Sequence, residues 1–215
     1  MITKGCGNLD WQMGSGKTLA GIAYFRYFLE NTHLRHVFIV SDSLAIKSTW
    51  LDRLSAYGIA FALIQKLSDF SRIKPGQVAL FTHHTLSKYK KQAKKTVRLL
   101  SNKIVLLVDE SDDYTNAGSN RTRAGLACFR RIRNVLLLTG TLTRNNAAEF
   151  YSQLQMTYNN SYNMICHCKT VFEYDAKEPV MPGGRADGAS SPAAMQRKRV
   201  RASLTTRTAR WRFWS

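Results

Sequence analysis

The stretch Met13-Gly14-Ser15-Gly16-Lys17-Thr18 constrains this chain more than any other. Glycines let successive backbone N–H groups converge on one point, which suits a compact, highly charged phosphate chain. In that reading Gly14, Ser15 and Gly16 form a cradle. Lys17 reaches the β- and γ-phosphates of a nucleoside triphosphate, and the Thr18 hydroxyl takes a place on Mg²⁺. Leu19 to Glu30 read as a helix whose N-terminal dipole end faces the same phosphates. The full phosphate-loop pattern has a further glycine where this chain has Trp11. Taken alone, the hexapeptide is also what any glycine-rich turn before Lys-Thr looks like.

A second element far downstream gives the first its weight. Val105-Leu106-Leu107-Val108-Asp109-Glu110 is an apolar run ending in two carboxylates, as expected of a buried strand that presents acids at its C-terminal end. Asp109 there can hold Mg²⁺ through water, and Glu110 can orient or deprotonate the attacking water. Most Asp-Glu pairs are solvated surface; here the order of the motifs and the strand before them argue for a nucleotide site. The catalytic candidates are therefore Glu110 and Lys17.

Charge points to the partner. The 215 residues carry a formal net charge of +18, which predicts a polyanion, with nucleic acid first among candidates. A solubilising basic surface is the plainer reading. No apolar run approaches the ~20 residues that span a bilayer, and Met1-Ile2-Thr3-Lys4-Gly5 has no apolar signal core. The expectation is a cytoplasmic, reducing location with free thiols and no membrane partner. Cys166-His167-Cys168 has the wrong spacing for a zinc knuckle.

The rest of the chain alternates strand and helix. Gly5-Cys6-Gly7-Asn8-Leu9-Asp10 makes a poor strand, although a phosphate loop normally follows one. Leu19, Ile22, Ala23, Phe25, Phe28 and Leu29 lie near helical spacing. His36–Val40 reads as a buried strand. Ser43 is placed to cap a helix whose Leu44, Trp50, Leu51 and Leu54 share a face. Gly58 suits a helix C-terminus. Phe61–Ile64 and Val78–Phe81 are short strands, the second after a Pro75-Gly76 turn. His83 and His84 follow without a local metal partner, so a structural or backbone-contact role fits them. Lys88 to Arg98 is a basic helix, a solvated face or a phosphate contact. Ser111 to Arg123 reads as a polar loop and is followed by a short helix. Val135–Leu138 is a strand that ends in Thr139-Gly140-Thr141. Such an order predicts a parallel sheet covered by helices on both faces.

Read in sequence, Met13–Thr18, Val37–Trp50, Phe81–Leu86, Asp109–Asp112 and Leu136–Asn146 resemble the ordered motifs of superfamily 2 helicases. The likeness is to the Swi/Snf-type branch of DNA-dependent ATPases, because Leu136 to Asn146 adds Asn145-Asn146 and a helix onset at Glu149-Phe150 to the shared Thr-Gly-Thr. It covers roughly residues 9 to 175. The resemblance implies an α/β, three-layer, RecA-like first motor lobe (residues 1–175) that binds ATP and Mg²⁺. Lys17 and Thr18 would bind the nucleotide and metal, Asp109 would hold the metal and Glu110 would activate water. Thr139, Gly140 and Thr141 would couple ATP to nucleic-acid contact, and Val37–Ser43 and Phe81–Thr85 would touch the nucleic-acid backbone, double-stranded DNA by analogy.

Some positions depart from the family pattern. Ser111 and Asp112 stand where Ala and His are common, and no glutamine-bearing adenine-reading segment precedes Met13. Nothing after residue 176 resembles the second motor lobe that supplies arginines to the γ-phosphate, so a second lobe or a protein subunit is the expected partner. The contrasting reading is a module that binds ATP and nucleic acid with little turnover. From 176 to 215 the composition changes to Pro, Gly and Arg, read as a disordered basic tail in which Trp211, Phe213 and Trp214 can stack on bases. A reading-frame change or a shortened gene would give the same abrupt break.

Overall fold

The computed structural model of the chain describes residues 5–116, 118–130, 132–140 and 150–157. Thr141, Asn145, Asn146, Cys166-His167-Cys168 and the basic tail at 176–215 lie outside the described residues.

Among the described residues the strands are β1 (Cys6–Asp10), β2 (His36–Ser41), β3 (Phe61–Ile64), β4 (Val78–Thr82), β5 (Ile104–Val108) and β6 (Asn134–Thr139). They form one six-stranded sheet in the order β1-β6-β5-β2-β4-β3. Every pairing in it is parallel. The expected α/β architecture is therefore present, with strands that read as near-continuous apolar runs because both faces are covered.

Alternating side chains divide the core. Phe38, Val40, Phe81, Leu106, Val108 and Leu137 face one side. There they meet α4 (His83–Lys88), α5 (Lys90–Leu100), α6 (Asn120–Phe129) and α7 (Tyr151–Thr157) through Leu86, Val97, Phe129 and Met156. Val37, Ile39, Leu107 and Leu138 face the other. That side is covered by α1 (Lys17–Asn31) and by a helical segment over 43–56, through Phe25, Trp50 and Leu54. Each such side chain fully buried contributes roughly 1.5–3 kcal/mol.

Five sequence expectations change. Cys6–Asp10 is a strand after all, at the edge of the sheet beside β6. Its pairing is carried by the backbone, with Leu9 buried and the Tyr24 hydroxyl donating to Gly5 O at 2.7 Å, so two glycines are tolerated. On α1, Leu19 and Ala23 are exposed, and Gly21 and Tyr24 are buried with Ile22, Phe25 and Phe28. Asp42, not Ser43, caps the next helix, its carboxylate accepting from the Leu44 N–H. Leu44 is 72% exposed, and Ile46, Trp50 and Leu54 form the buried face instead. The cause is a π turn, Ile46–Trp50, between α2 (Ser43–Ala45) and α3 (Leu51–Ala56). Its wider spacing shifts the helical face. Finally, the polar loop after Glu110 is largely structured: Ser111–Tyr114 is a 3₁₀ turn with Ser111, Asp112 and Tyr114 buried, and α6 begins at Asn120 under a Ser119 cap.

Candidate nucleotide site

The sheet order places three chain segments side by side at its C-terminal edge. β1 leads to Met13–Thr18, β6 ends at Thr139-Gly140, and β5 ends at Asp109-Glu110, with β6 between the other two. These segments lie far apart along the chain; parallel pairing brings them together. In open α/β sheets this edge is where ligands bind.

The glycine turn has the backbone of an anion cradle. Gly14 and Gly16 have φ of 78° and 89°, and a Cβ on either would meet nothing within 4 Å. The requirement for glycine is thus conformational, since other L-residues avoid that region. Gly16 caps α1, and the first intrahelical bond runs from Ala20 N–H to Gly16 O. The N–H groups of the first turn, Lys17 and Thr18 among them, have no intrahelical acceptor and are available to an anion.

Lys17 folds back over its own loop. Its Nζ donates to Trp11 O at 2.8 Å and to Gln12 O at 3.3 Å. Gly140 lies beside it: a Cβ there would sit 3.6 Å from Lys17 Nζ and 3.8 Å from Trp11 O. The Trp11 N–H donates to Thr139 O at 3.1 Å, joining the loop to the end of β6. Thr139 is buried.

The two acids differ in environment. Asp109 is buried and its Oδ2 accepts from Trp50 Nε1 at 2.8 Å and from Ser41 Oγ at 3.0 Å. Its Oδ1 accepts the Glu110 N–H at 3.2 Å. Glu110 has φ of 49°, making it the positive-φ non-glycine among the described residues. Such a backbone costs of order 1–3 kcal/mol and clusters at functional sites. Partial burial, with Asp109 and Asp112 nearby, raises the Glu110 pKa, while the Lys17 ammonium opposes the shift. Lys17 and Glu110 thus sense one another electrostatically across the edge.

The donor set fits a magnesium nucleotide: backbone N–H groups and an ammonium for phosphate, a hydroxyl and a carboxylate oxygen for a hard cation. Gly14, Ser15, Gly16, Lys17, Thr18, Asp109, Glu110, Thr139 and Gly140 all belong to this edge. That Trp50 and Ser41 hold Asp109 is not legible in the sequence. An aromatic on an apolar helix face carries no signal that its indole N–H is aimed at a carboxylate.

A second cluster lies further along the same edge, between the end of β4 and the turn after β5. His83 is buried, with Nδ1 2.9 Å from the Tyr114 hydroxyl and Nε2 3.8 Å from Asp113 Oδ2. Arg121 pairs with the same Asp113 oxygen. His84, beside it, is exposed. The structural role expected for the His pair falls to His83, which links the segment after β4 to the 3₁₀ turn after Glu110.

Comparison with known proteins places these features. The family profile described as SNF2-related domain matches residues 6–207. The chain is 28% identical over 147 residues to the Bos taurus SWI/SNF-related matrix-associated actin-dependent regulator of chromatin subfamily A-like protein 1, across 66% of this chain and 14% of that protein. It is 26% identical over 168 residues to the probable ATP-dependent DNA helicase CHR12 of Arabidopsis thaliana, across 74% of this chain and 15% of that protein. Among solved structures, the Sulfolobus solfataricus SWI2/SNF2 ATPase core in complex with dsDNA is similar with a TM-score of 0.66 and 21% identity, covering 96% of this chain and 40% of that one. T4 UvsW is similar with a TM-score of 0.50 and 15% identity, over 74% of this chain and 32% of that one. The chain thus spans about a seventh of the length of these curated relatives.

Proposed function

The chain belongs to the SNF2-related domain family, and from that premise we propose that it is the ATP-binding first motor lobe of a helicase-like, DNA-dependent ATPase. The observation that carries the reading is the meeting of the phosphate-type turn, Thr139-Gly140 and Asp109-Glu110 on three adjacent strand ends.

In this reading the N–H groups of Gly14 to Thr18 hold the phosphate chain. Lys17 leaves the carbonyls of Trp11 and Gln12 and turns to the β- and γ-phosphates. Thr18 and Asp109 would hold Mg²⁺. Mg²⁺ supplies neutralisation of the charge that develops on the transferred phosphoryl group. Glu110 accepts the proton of the attacking water, and its raised pKa makes it a better base than an ordinary carboxylate. Thr139, Gly140 and Thr141 couple the nucleotide to nucleic acid; for Thr139 and Gly140 the support is their bond and proximity to the phosphate turn.

The nucleic-acid partner follows from the net charge of +18 and from the resemblance; double-stranded DNA is the form proposed, because a similar ATPase core was solved with it. That core is longer than this chain, so a second lobe or subunit is proposed to complete the γ-phosphate site. The domain division at 175, with a basic segment at 176–215, and an intracellular place of action belong to the same proposal. Among the described residues no helix is long and apolar enough to cross a membrane.

The test is steady-state ATP hydrolysis by the purified chain, with and without double-stranded DNA, beside Lys17→Ala. DNA-stimulated turnover lost in the variant supports a motor lobe. ATP binding lost in the variant, without turnover in either protein, supports a lobe that waits for its partner. ATP binding unchanged in the variant removes the assignment.

A further inference from the structure

The Asp109 carboxylate is held by a side chain from the helical segment that packs beside α1 on the same face of the sheet. Trp50 is fully buried, and its ring reaches from α1 to the end of β5. On α1, a Cβ added at Gly21 would lie 3.3 Å from Trp50 Cη2, so that helix presents a glycine where the indole passes. At β5, Trp50 Nε1 donates to Asp109 Oδ2 at 2.8 Å. The residue sits at the end of the π turn Ile46–Trp50, where the Leu51 N–H bonds back to Ile46 O. π turns are rare and are found often at functional sites, because the inserted residue re-aims the side chains after it. Here the residue re-aimed is the one whose N–H reaches an acid.

The division of labour between the two Asp109 oxygens gives this contact its meaning. Oδ2 accepts from both Trp50 and Ser41, so that oxygen is engaged by neutral donors inside the core. Oδ1 accepts one longer bond, from the Glu110 N–H at 3.2 Å. Hydrogen bonds to a charged group are among the stronger ones, and two on one oxygen fix the plane of the carboxylate. Second-sphere donors of this kind orient a ligand before the cation arrives.

We infer that Trp50 is a positioning residue for the cation-binding carboxylate: its indole N–H, with the Ser41 hydroxyl, engages Asp109 Oδ2 and leaves Oδ1 to Mg²⁺ or its water. The inference rests on the proposed nucleotide site and adds to it a role for a residue that the sequence marks as part of a helix face and as the end of the Val37–Trp50 stretch, with no function of its own. The same indole touches the helix that begins at Lys17, so one side chain spaces the phosphate turn from the metal carboxylate.

The experiment measures ATP binding calorimetrically as Mg²⁺ is stepped from none to saturation, in the full chain, Trp50→Phe and Ser41→Ala. Trp50→Phe keeps an aromatic ring in the core and deletes the N–H. The expected result is a Mg²⁺ requirement raised about tenfold in Trp50→Phe, a smaller shift in the same direction in Ser41→Ala, and unchanged Mg²⁺-free ATP affinity in both. A folded Trp50→Phe with the parental Mg²⁺ requirement overturns the inference. So does an equal loss of Mg²⁺-free affinity, which would mark a packing role alone. Should Trp50→Phe fail to fold, Ser41→Ala decides by the same criterion. Loss of Mg²⁺-dependent ATP binding in the parent chain would instead overturn the nucleotide site itself, and this inference with it.

Discussion

Lys17 Nζ donates to the carbonyl of Trp11 at 2.8 Å, and the Trp11 N–H donates in turn to Thr139 O. The phosphate turn therefore closes on itself through its lysine and is tied by the same residue to the end of β6. At the proposed site, a nucleotide engaging Lys17 would draw the ammonium from the Trp11 carbonyl and could leave the Thr139 bond intact. Lys17→Ala is expected to lower ATP affinity at least tenfold with only a modest loss of thermal stability, because hydrogen bonds to a charged group are worth about 1.5–3 kcal/mol at most and this ammonium is partly open to solvent. Calorimetric titration with ATP, beside a melting curve, checks both halves. A large fall in melting temperature would mean that the lysine holds the loop together.

Glu110 and Asp109 should separate chemistry from binding. Glu110→Gln keeps the size of the side chain and removes the base, so ATP affinity is expected to hold while any DNA-stimulated turnover falls by about 10²-fold or more. Asp109→Asn should weaken the Mg²⁺-dependent part of binding, since it removes the charge that Trp50 and Ser41 orient. Equal turnover in Glu110→Gln would show that another group activates water.

The parallel sheet, the turn at Gly14–Thr18 and the two acids were legible because each depends on local pattern: short apolar runs, and motif residues at strand ends. What was not legible depended on contacts across the fold. Cys6–Asp10 has poor strand propensity and becomes a strand because β6 offers it a partner edge. Leu44 has the spacing of a core residue, but the π turn rotates the face and buries Ile46 in its place. Tyr114 and Asp112 belong to a polar stretch and are buried, because Tyr114 meets His83 from the segment after β4. The role proposed for Asp109 was suggested by its place beside Glu110 at a strand end, whereas its supports, Ser41 and Trp50, come from 68 and 59 residues away.

His83 predicts an acid limb in stability. Burial lowers its pKa to about 4, with Asp113 opposing and Arg121 adding to the shift. Asp42 and Asp109 also face it and oppose the shift, while the Tyr114 hydroxyl bonds Nδ1. The folded chain therefore holds His83 neutral where the unfolded chain protonates it. Between the ordinary histidine pKa of about 6.5 and the folded value, the unfolded state binds more protons, so stability falls as pH drops through that window. Above it the contribution is constant. His83→Gln should lose part of this slope, measured as melting temperature from about pH 7.5 to 4.5. An identical slope in the variant would assign the acid limb to other groups.

Gly21 is a packing requirement. An added Cβ would lie 2.7 Å from Leu107 Cδ2 and 3.3 Å from Trp50 Cη2. Gly21→Ala gains helix propensity, worth up to about 1 kcal/mol, but it overpacks a filled core at a cost of roughly 1–3 kcal/mol. The expected balance is destabilisation, measured by denaturant unfolding. A stabilised variant would show that the Leu107 side chain moves aside freely.

The basic helix gives the prediction that separates a docking surface from a solvated face. Lys90, Lys91, Lys95 and Arg98 on α5 are exposed, and neither they nor Lys94 and Lys88 pair with a carboxylate among the described residues. α5 follows α4 from the C-terminal edge of β4 and ends just before β5 begins, so it runs from the nucleotide edge toward the opposite edge of the sheet. Lys90 and Lys91 are thus near the segment expected to touch nucleic acid, and Lys95 and Arg98 are further from it. If DNA docks along the nucleotide edge, Lys90→Gln with Lys91→Gln should reduce the slope of log K against log salt by about 2, at roughly 0.9 for each phosphate no longer neutralised. Lys95→Gln with Arg98→Gln should change it by much less. Equal reductions from both pairs would mean that the whole face attracts DNA without a register. No reduction from either would mark α5 as a solvated surface and leave DNA binding to other segments of the chain.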